Sequence, residues 1–170
     1  MDKRWIYILI IFIIGISCLY LVADSSTTIG KATVKVNAYL ITIPDSFNID
    51  NTGGQYAQLI NRNTKEYITI VDLGKGDLIK QSVDEKTDSL ENNGSFSNID
   101  KFSLKIDDDS IPSISYESYD NNTINQVSYF TKYNHTFSIE STNFLKNDTI
   151  KDNVKFIIDS LAPNYKQKQD

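Results

Sequence analysis

The chain has 170 residues, a net charge of −5, one cysteine and one histidine. An acidic chain of this size is a poor ligand for nucleic acid or for anionic lipid head groups, because both require a basic surface. One cysteine excludes an intrachain disulfide, so a hydrophobic core must stabilise the fold. One histidine disfavours a histidine-centred zinc site. We therefore expect no nucleic acid partner, no metal and no cofactor.

The N-terminus carries the strongest signal in the sequence. Residues 5–23 form an uninterrupted apolar run. At about 1.5 Å per residue, a helix of this length crosses the roughly 30 Å hydrocarbon core of a bilayer. Lys3 and Arg4 precede the run, and positive charge stays on the cytoplasmic side. We therefore expect residues 1–4 to be cytoplasmic, residues 5–23 to be a transmembrane helix, and the remainder to lie outside the cell membrane.

Two other interpretations of this segment stay open. It could be a cleaved signal peptide, although such peptides have an apolar centre of about 7–15 residues and Ala23 is the only small residue placed for cleavage. Cys18 could carry a lipid, although Gly15 stands where lipoprotein signals usually have a large aliphatic residue. A pilin-type helix is excluded, because it needs a small residue at a processing site and a glutamate soon after.

The first strands follow a polar stretch. Residues 24–33 have no apolar periodicity and are interpreted as a flexible tether. Apolar residues then alternate over 34–43, which predicts one half-buried strand that Pro44 ends. Two more strands are predicted at 56–60 and 66–73, with a connection suited to a hairpin.

The strand at 66–73 has a marked pleat, and a helix follows it. Tyr67, Thr69 and Val71 are expected on one face, with Ile68, Ile70 and Leu73 on the other. We expect the helix to start near Asp77, with Ser82 as the alternative because of its capping-box spacing. Residues 92–94 close it, with Gly94 suited to the left-handed conformation of a helix terminus.

The second half of the chain is rich in predicted strands and ends in a helix. Strands are predicted at 102–106, 114–119, 124–133 and 136–141. The last helix is capped at 147 or 148, and its core-facing stripe consists of Ile150, Val154, Ile157, Ile158 and Leu161. Residues 164–170 form a polar tail. The order of three strands, a helix, four strands and a helix predicts an α+β domain over 34–163, an antiparallel sheet of about six to seven strands covered by two helices.

Two stretches of sequence resemble a known family. Residues 40–47 resemble the opening strand, proline and aromatic residue of the PsbP/Mog1-like family, and residues 128–133 with 135–139 resemble its paired late strands before the closing helix. The resemblance covers about 34–163 and indicates a membrane-anchored prokaryotic member, with an archaeal source favoured over a bacterial one. It implies a non-enzymatic accessory or binding domain and transfers no functional residue to this chain.

Tyrosines crowd into the late strands. Tyr116, Tyr119, Tyr129 and Tyr133 lie in neighbouring predicted strands, where alternation directs some of them outward. Exposed tyrosines stack on sugar rings or anchor protein partners. The alternative is that they fill the core and form cross-strand pairs. These four are the candidate ligand-binding residues.

Candidate catalytic and ion-binding residues are few. His135 is interpreted as an exposed or edge histidine, and a hydrolase would need it beside a serine or carboxylate in a cleft. Residues 107–109 are consecutive aspartates, whose spacing suits a solvated turn rather than a calcium loop. Gly74 and Gly76 flank Lys75 before a helix, yet the full glycine pattern of a phosphate-binding loop is missing.

Four N-glycosylation sequons follow the apolar run, each at a predicted turn or helix boundary. They begin at Asn93, Asn121, Asn134 and Asn147. Turns outside the membrane are accessible to modification, so we expect at least one to be occupied if the host glycosylates exported proteins.

These features favour a non-catalytic accessory or recognition domain that is tethered to the membrane and binds another protein of the cell envelope. The first alternative is a module that binds a small molecule or glycan through exposed tyrosines. The second alternative is an uncharacterised hydrolase centred on His135.

Overall fold

The computed structural model describes residues 31–118, 121–145 and 147–164, with the side chains of 121, 122 and 147 excepted. The domain begins at Thr33. Its elements in chain order are β1 (Thr33–Val36), β2 (Tyr39–Thr42), β3 (Asn48–Thr52), β4 (Tyr56–Asn61), β5 (Glu66–Lys75), α1 (Ile79–Glu91), β6 (Phe96–Ile106), β7 (Asp109–Ser118), β8 (Asn121–Lys132), β9 (His135–Phe144), α2 (Asn147–Ser160) and β10 (Ala162–Pro163).

The strands form two antiparallel sheets. The larger has seven strands in the order β3-β4-β5-β9-β8-β7-β6, and the smaller has three in the order β1-β2-β10. The prediction of an α+β domain with a large antiparallel sheet and two helices is confirmed. The described chain differs in having five strands before α1, where three were expected.

The extra strands arise partly because residues 34–43 form a hairpin rather than one strand. Asn37 adopts a left-handed φ of 53°, which asparagine tolerates, and reverses the chain. The alternation of buried residues accordingly changes phase at the turn: even-numbered residues are buried in β1 (Val34 and Val36), and odd-numbered residues are buried in β2 (Tyr39 and Ile41). The backbone N–H of Asn37 donates to the carbonyl of Gly54, 2.7 Å away.

The two faces of the seven-stranded sheet are covered differently. The small sheet and α2 cover one face, and the main core between them includes Ile41, Leu59, Ile70, Phe137 and Ile157. On the other face, α1 packs on β6, β7 and β8. A second cluster lies between α1 and the sheet and contains Leu90, Ile114, Tyr116, Val127 and Tyr129.

Both helices start close to their predicted positions. α1 begins at Ile79, two residues after Asp77, and its first turn is closed by the Ser82 N–H, which donates to the Leu78 carbonyl at 2.9 Å. The Asp77 carboxylate lies just before the helix and accepts the Ile79 N–H at 3.2 Å. The left-handed glycines are Gly74 and Gly76, whereas Gly94 has a negative φ, so its predicted role at the helix terminus is wrong. The expected apolar stripe is buried at Ile150, Val154 and Ile157 of α2 and at Leu161, the residue that follows the helix.

The predicted transmembrane helix at 5–23 lies outside the described residues, as do residues 24–30 of the tether and 165–170 of the tail. Among the residues that are described, neither helix combines the length and the apolar character needed to cross a bilayer.

Candidate functional site

Two of the candidate tyrosines lie beneath α1. Tyr116 of β7 is 5% exposed and Tyr129 of β8 is 4% exposed. The Tyr116 hydroxyl donates to the Glu140 carboxylate of β9, which also pairs with the Lys86 ammonium of α1 at 2.8 Å. These polar contacts join α1 to the sheet around one partly buried carboxylate.

The environment of this pair keeps both phenols protonated. Burial raises the pKa of Tyr116 above its ordinary value, and the neighbouring Glu140 carboxylate raises it further. Burial likewise raises the pKa of Tyr129, with smaller contributions from the charges of Glu140 and Glu85. At neutral pH the Tyr116 hydroxyl is therefore a donor to Glu140.

Tyr133 is in a different place. It lies in the turn after β8, is 50% exposed, and stacks on the ring of Tyr39 with centroids 5.9 Å apart. The Lys132 ammonium lies 5.5 Å from the centroid of the same ring. Tyr119 lies outside the described residues. The described candidates therefore form one covered pair and one separate exposed ring, and their role in ligand binding stays a prediction.

His135 pairs with a buried aspartate that the sequence analysis missed. Its side chain is 13% exposed, and its Nδ1 lies 3.0 and 3.1 Å from the two carboxylate oxygens of Asp72, whose side chain is 0% exposed. Asp72 also accepts hydrogen bonds from the Asn37 side-chain amide at 2.8 Å and from the Gly74 N–H at 2.9 Å. The His135 side chain is thus mostly buried and oriented by Asp72, rather than exposed.

The Asp72–His135 pair connects three parts of the domain. Asn37 belongs to the β1–β2 turn, Asp72 to β5 and His135 to β9, and the ring of Tyr39 meets His135 edge-on at 5.3 Å. An aspartate that orients a histidine is also part of a hydrolytic triad. The hydrogen bonds described for His135 both go to Asp72, and the clefts described for this domain are lined by other residues. The arrangement acts as a tie between the two sheets.

The loop before α1 and the first of the three aspartates at 107–109 make contacts within the domain. The Gly76 N–H donates to the Asn134 carbonyl at 2.9 Å, so it is not available to a phosphate. Asp107 lies in the β6–β7 turn with a left-handed φ of 51° and pairs with Lys155 of α2. No group of His, Cys, Asp or Glu in the described part of the chain has the arrangement of a metal site.

Two of the predicted glycosylation positions are described and exposed. Asn93 lies in the α1–β6 connection, where its side-chain oxygen accepts the Ser95 N–H at 3.1 Å. Asn134 lies in the β8–β9 turn with a left-handed φ of 58°. The side chains of Asn121 and Asn147 are outside the described set. Modification at any of the four stays a prediction.

A surface that the sequence analysis did not single out lies on the α1 side of β4 and β5. We define the open face as Tyr56, Gln58, Tyr67, Thr69 and Val71, all of them partly exposed. Their partners across the two strands put them on the side opposite the main core. On that side α1 packs on β6–β8 and on Leu73, which follows the open face near the end of β5. The Gln58 amide donates to the Thr69 hydroxyl at 3.3 Å in the middle of the face.

The signal for the open face was present in the strand pattern. The sequence places Tyr67, Thr69 and Val71 on one side of the pleat, and that side proves to be the uncovered one. The Tyr56 ring lies close against Gly53, where a side chain would not fit because its Cβ would come within 2.3 Å of that ring.

The architecture defines an α+β domain in which helices and a small sheet cover a larger antiparallel sheet. The fold is PsbP-like. The solution structure of cyanobacterial PsbP (CyanoP) from Synechocystis sp. PCC 6803 matches it with a TM-score of 0.50 and 12% sequence identity, over 80% of this chain and 95% of that chain. No protein-family model and no curated protein matches the sequence. A likeness at this identity shows the fold alone.

Proposed function

We propose that this chain is a non-catalytic recognition domain, held at the outer side of a cell membrane by residues 5–23, that binds another protein of the envelope. The apolar run with Lys3 and Arg4 on its N-terminal side supports the location. The PsbP-like fold, shared with cyanobacterial PsbP, supports an accessory rather than a catalytic role.

The open face is the observation that carries the proposal. It lies on paired strands, so its side chains are positioned before binding and lose little conformational entropy when a partner covers them. Tyr56 and Tyr67 supply one of the residue types that are enriched at protein interfaces. The face itself has no charged side chain, so its burial incurs no cost for desolvating an ion.

The tether determines which partners the domain meets. A domain joined to a membrane helix by about ten residues stays close to the bilayer, and its effective concentration toward neighbouring membrane proteins is high. Weak contacts on the open face then suffice for binding. We expect the partner to be an envelope protein that exposes its own surface near the membrane.

Site-specific photo-crosslinking in intact cells tests the partner. A photoreactive phenylalanine analogue replaces Tyr67 on the open face or, as a matched control, Tyr133 on another exposed surface. We expect a defined protein adduct from position 67, its loss on adding Thr69→Arg, and no such adduct from position 133. If position 67 gives no specific adduct, or gives the same adducts as position 133, the proposal is wrong.

Thiol labelling tests the location. In a Cys18→Ala background, Lys80→Cys places a thiol on an exposed helix position and Lys3→Cys places one before the apolar run. A membrane-impermeant maleimide should label position 80 in intact cells and position 3 only after the membrane is opened. The reverse pattern, or labelling of neither site before opening, would contradict an extracytoplasmic domain.

A further inference from the structure

Two strand edges face the same groove. β1 is an edge strand of the small sheet, and β3 is an edge strand of the large sheet, within the described chain. Between them lies a groove of about 540 Å³, lined by β1 and Asn37 on one side and by Ile49 and residues 52–54 on the other. This volume lies in the range of ligand-binding clefts, about 300–1,000 Å³.

The backbone of β1 directs hydrogen-bonding groups into this groove. In an antiparallel pair, alternate residues point their N–H and C=O toward the partner strand and away from it. Thr33 and Lys35 pair with Thr42 and Leu40 of β2. The backbone N–H and C=O groups of Thr42 and Leu40 point away from β1, to the other side of β2. There Leu40 pairs with Ala162 of β10, and the Thr42 N–H donates to the Ser160 hydroxyl.

Thr33 and Lys35 therefore point their own N–H and C=O groups away from β2. The next outward residue supports this assignment, because the Asn37 N–H donates to the Gly54 carbonyl at 2.7 Å. That bond closes one end of the groove and leaves the outward groups of Thr33 and Lys35 facing its open part. Four backbone groups in strand geometry are thus available to an added strand.

The groove also has an apolar side chain that nothing covers in the described structure. Ile49 of β3 is 45% exposed and lines the groove, whereas Val34 of β1 points into the core. Alternate side chains of a strand placed beside β1 would point toward Ile49, and the others would lie on the outside beside Lys35. An apolar residue suits the first position, and an acidic residue suits the second.

We propose that the groove between β1 and β3 binds an extended segment of a partner protein, which joins the small sheet as a fourth strand beside β1. The segment alternates an apolar residue that covers Ile49 with an acidic residue beside Lys35. This occupant is favoured over a second copy of the chain, because a second β1 has only Thr33 and Lys35 on its outer side and offers Lys35 no opposite charge. The inference rests on the proposed function only in taking a protein as the partner.

The decisive variant removes one outward donor and leaves the β1–β2 pairing in place. Lys35→Pro deletes the amide N–H that faces the groove, and proline is accepted on an open strand edge. Lys35→Gln is the matched control, because it removes the charge but keeps the amide. Both variants are first checked for unchanged circular dichroism and melting temperature of the full chain in mild detergent.

The probe is a displayed library of random dodecapeptides, selected on the full chain, from which the most enriched peptide is synthesised. We expect sequences that alternate Val or Ile with Asp or Glu. Binding should weaken by roughly tenfold or more in Lys35→Pro, as expected for one lost buried hydrogen bond, and much less in Lys35→Gln. Hydrogen exchange at the Lys35 amide should slow when the peptide binds.

A second measurement does not depend on how the proline variant folds. Methylating, one at a time, the peptide amides that face β1 should abolish binding to the unaltered protein. Thr69→Arg on the open face should leave peptide binding unchanged, which separates this inference from the proposed function. Failure of the crosslink at position 67 alone leaves the groove prediction standing, since the two surfaces are tested separately.

Three results would overturn the inference. The first is that no peptide is enriched, and the second is that enriched peptides bind Lys35→Pro or their methylated forms as tightly as the originals. The third is that sedimentation shows a dimer that Lys35→Pro dissociates, which would identify the occupant as a second copy of the chain.

Discussion

Removing the carboxylate of Asp72 should loosen the attachment of the small sheet to the large one. This side chain is fully buried and receives hydrogen bonds from Asn37, Gly74 and His135, which belong to three different segments. The substitution Asp72→Ala deletes the acceptor for all three donors. We expect this variant to be the most destabilising single change at the polar positions described above.

The magnitude follows from what each donor can do afterwards. A buried donor that loses its acceptor costs about 1–3 kcal/mol. Asn37 is exposed and can turn to water, whereas the Gly74 N–H and the His135 ring are only partly exposed. The total is therefore about 3–5 kcal/mol, the range for deleting one partner of a buried pair. Asp72→Asn keeps one acceptor oxygen and should cost about 1–3 kcal/mol.

Pulse proteolysis in urea measures these values on the full chain in mild detergent. Asp50→Asn is the matched control, because Asp50 lies exposed on β3, and it should change stability by no more than about 0.5 kcal/mol. A double-mutant cycle between Asp72→Asn and His135→Asn should show a coupling of about 1–3 kcal/mol. A cost below about 1 kcal/mol for Asp72→Ala would refute the interpretation of this pair as a tie between the sheets.

Three further perturbations test other parts of the structure. The pKa values of Tyr116 and Tyr129 are raised on folding, so just above about pH 10 only the unfolded chain releases these protons. The free energy of unfolding should therefore fall there as the pH rises. Tyr129→Phe should reduce the slope of that free energy against pH by about 1.4 kcal/mol per pH unit, measured from urea midpoints. Phe137→Ala removes a fully buried ring and should cost about 3–5 kcal/mol in the same urea assay. Gly76→Ala forces a side chain onto a φ of 93° and should cost more than about 1 kcal/mol, whereas Gly94→Ala, at an exposed residue with negative φ, should be neutral or stabilising by melting temperature.

The sequence predicts most elements of this fold but joins β1 and β2 into one strand. Buried positions fall on Val34 and Val36 and then on Tyr39 and Ile41, so the alternation shifts by one residue between them. A shift of this kind with Asn37 between the two runs is the signal of a two-residue turn. The largely apolar character of residues 38–43 hides the shift, because Ala38 and Leu40 also fit a continued strand.

The buried position of Asp72 could have been predicted from the alternation of residues along β5. Asp72 lies in phase with Ile68 and Ile70, the core side of β5, where an unpaired carboxylate is costly. The prediction placed Leu73 on that face instead, although strict alternation puts Leu73 in phase with Val71. The structure follows the alternation, and Leu73 packs under α1. The partners of Asp72 could not be identified, because His135 lies 63 residues further along the chain.

The proposed surfaces depend on one pairing that local sequence cannot specify. Hairpins connect β3 to β4 to β5, and β6 to β7 to β8 to β9, and each connection is short enough to be predicted. The pairing of β5 with β9 joins the two groups, and it alone makes β3 and β6 the edges of the sheet. Because α1 connects β5 to β6, it crosses to the β6–β8 side, packs on β5 at Leu73, and leaves the open face uncovered in the described structure. The pleat shows which residues of β5 share a face, but it does not show whether that face is covered. The exposure of the open face and the edge position of β3 at the groove both follow from one long-range contact, which the residues that form these surfaces do not specify.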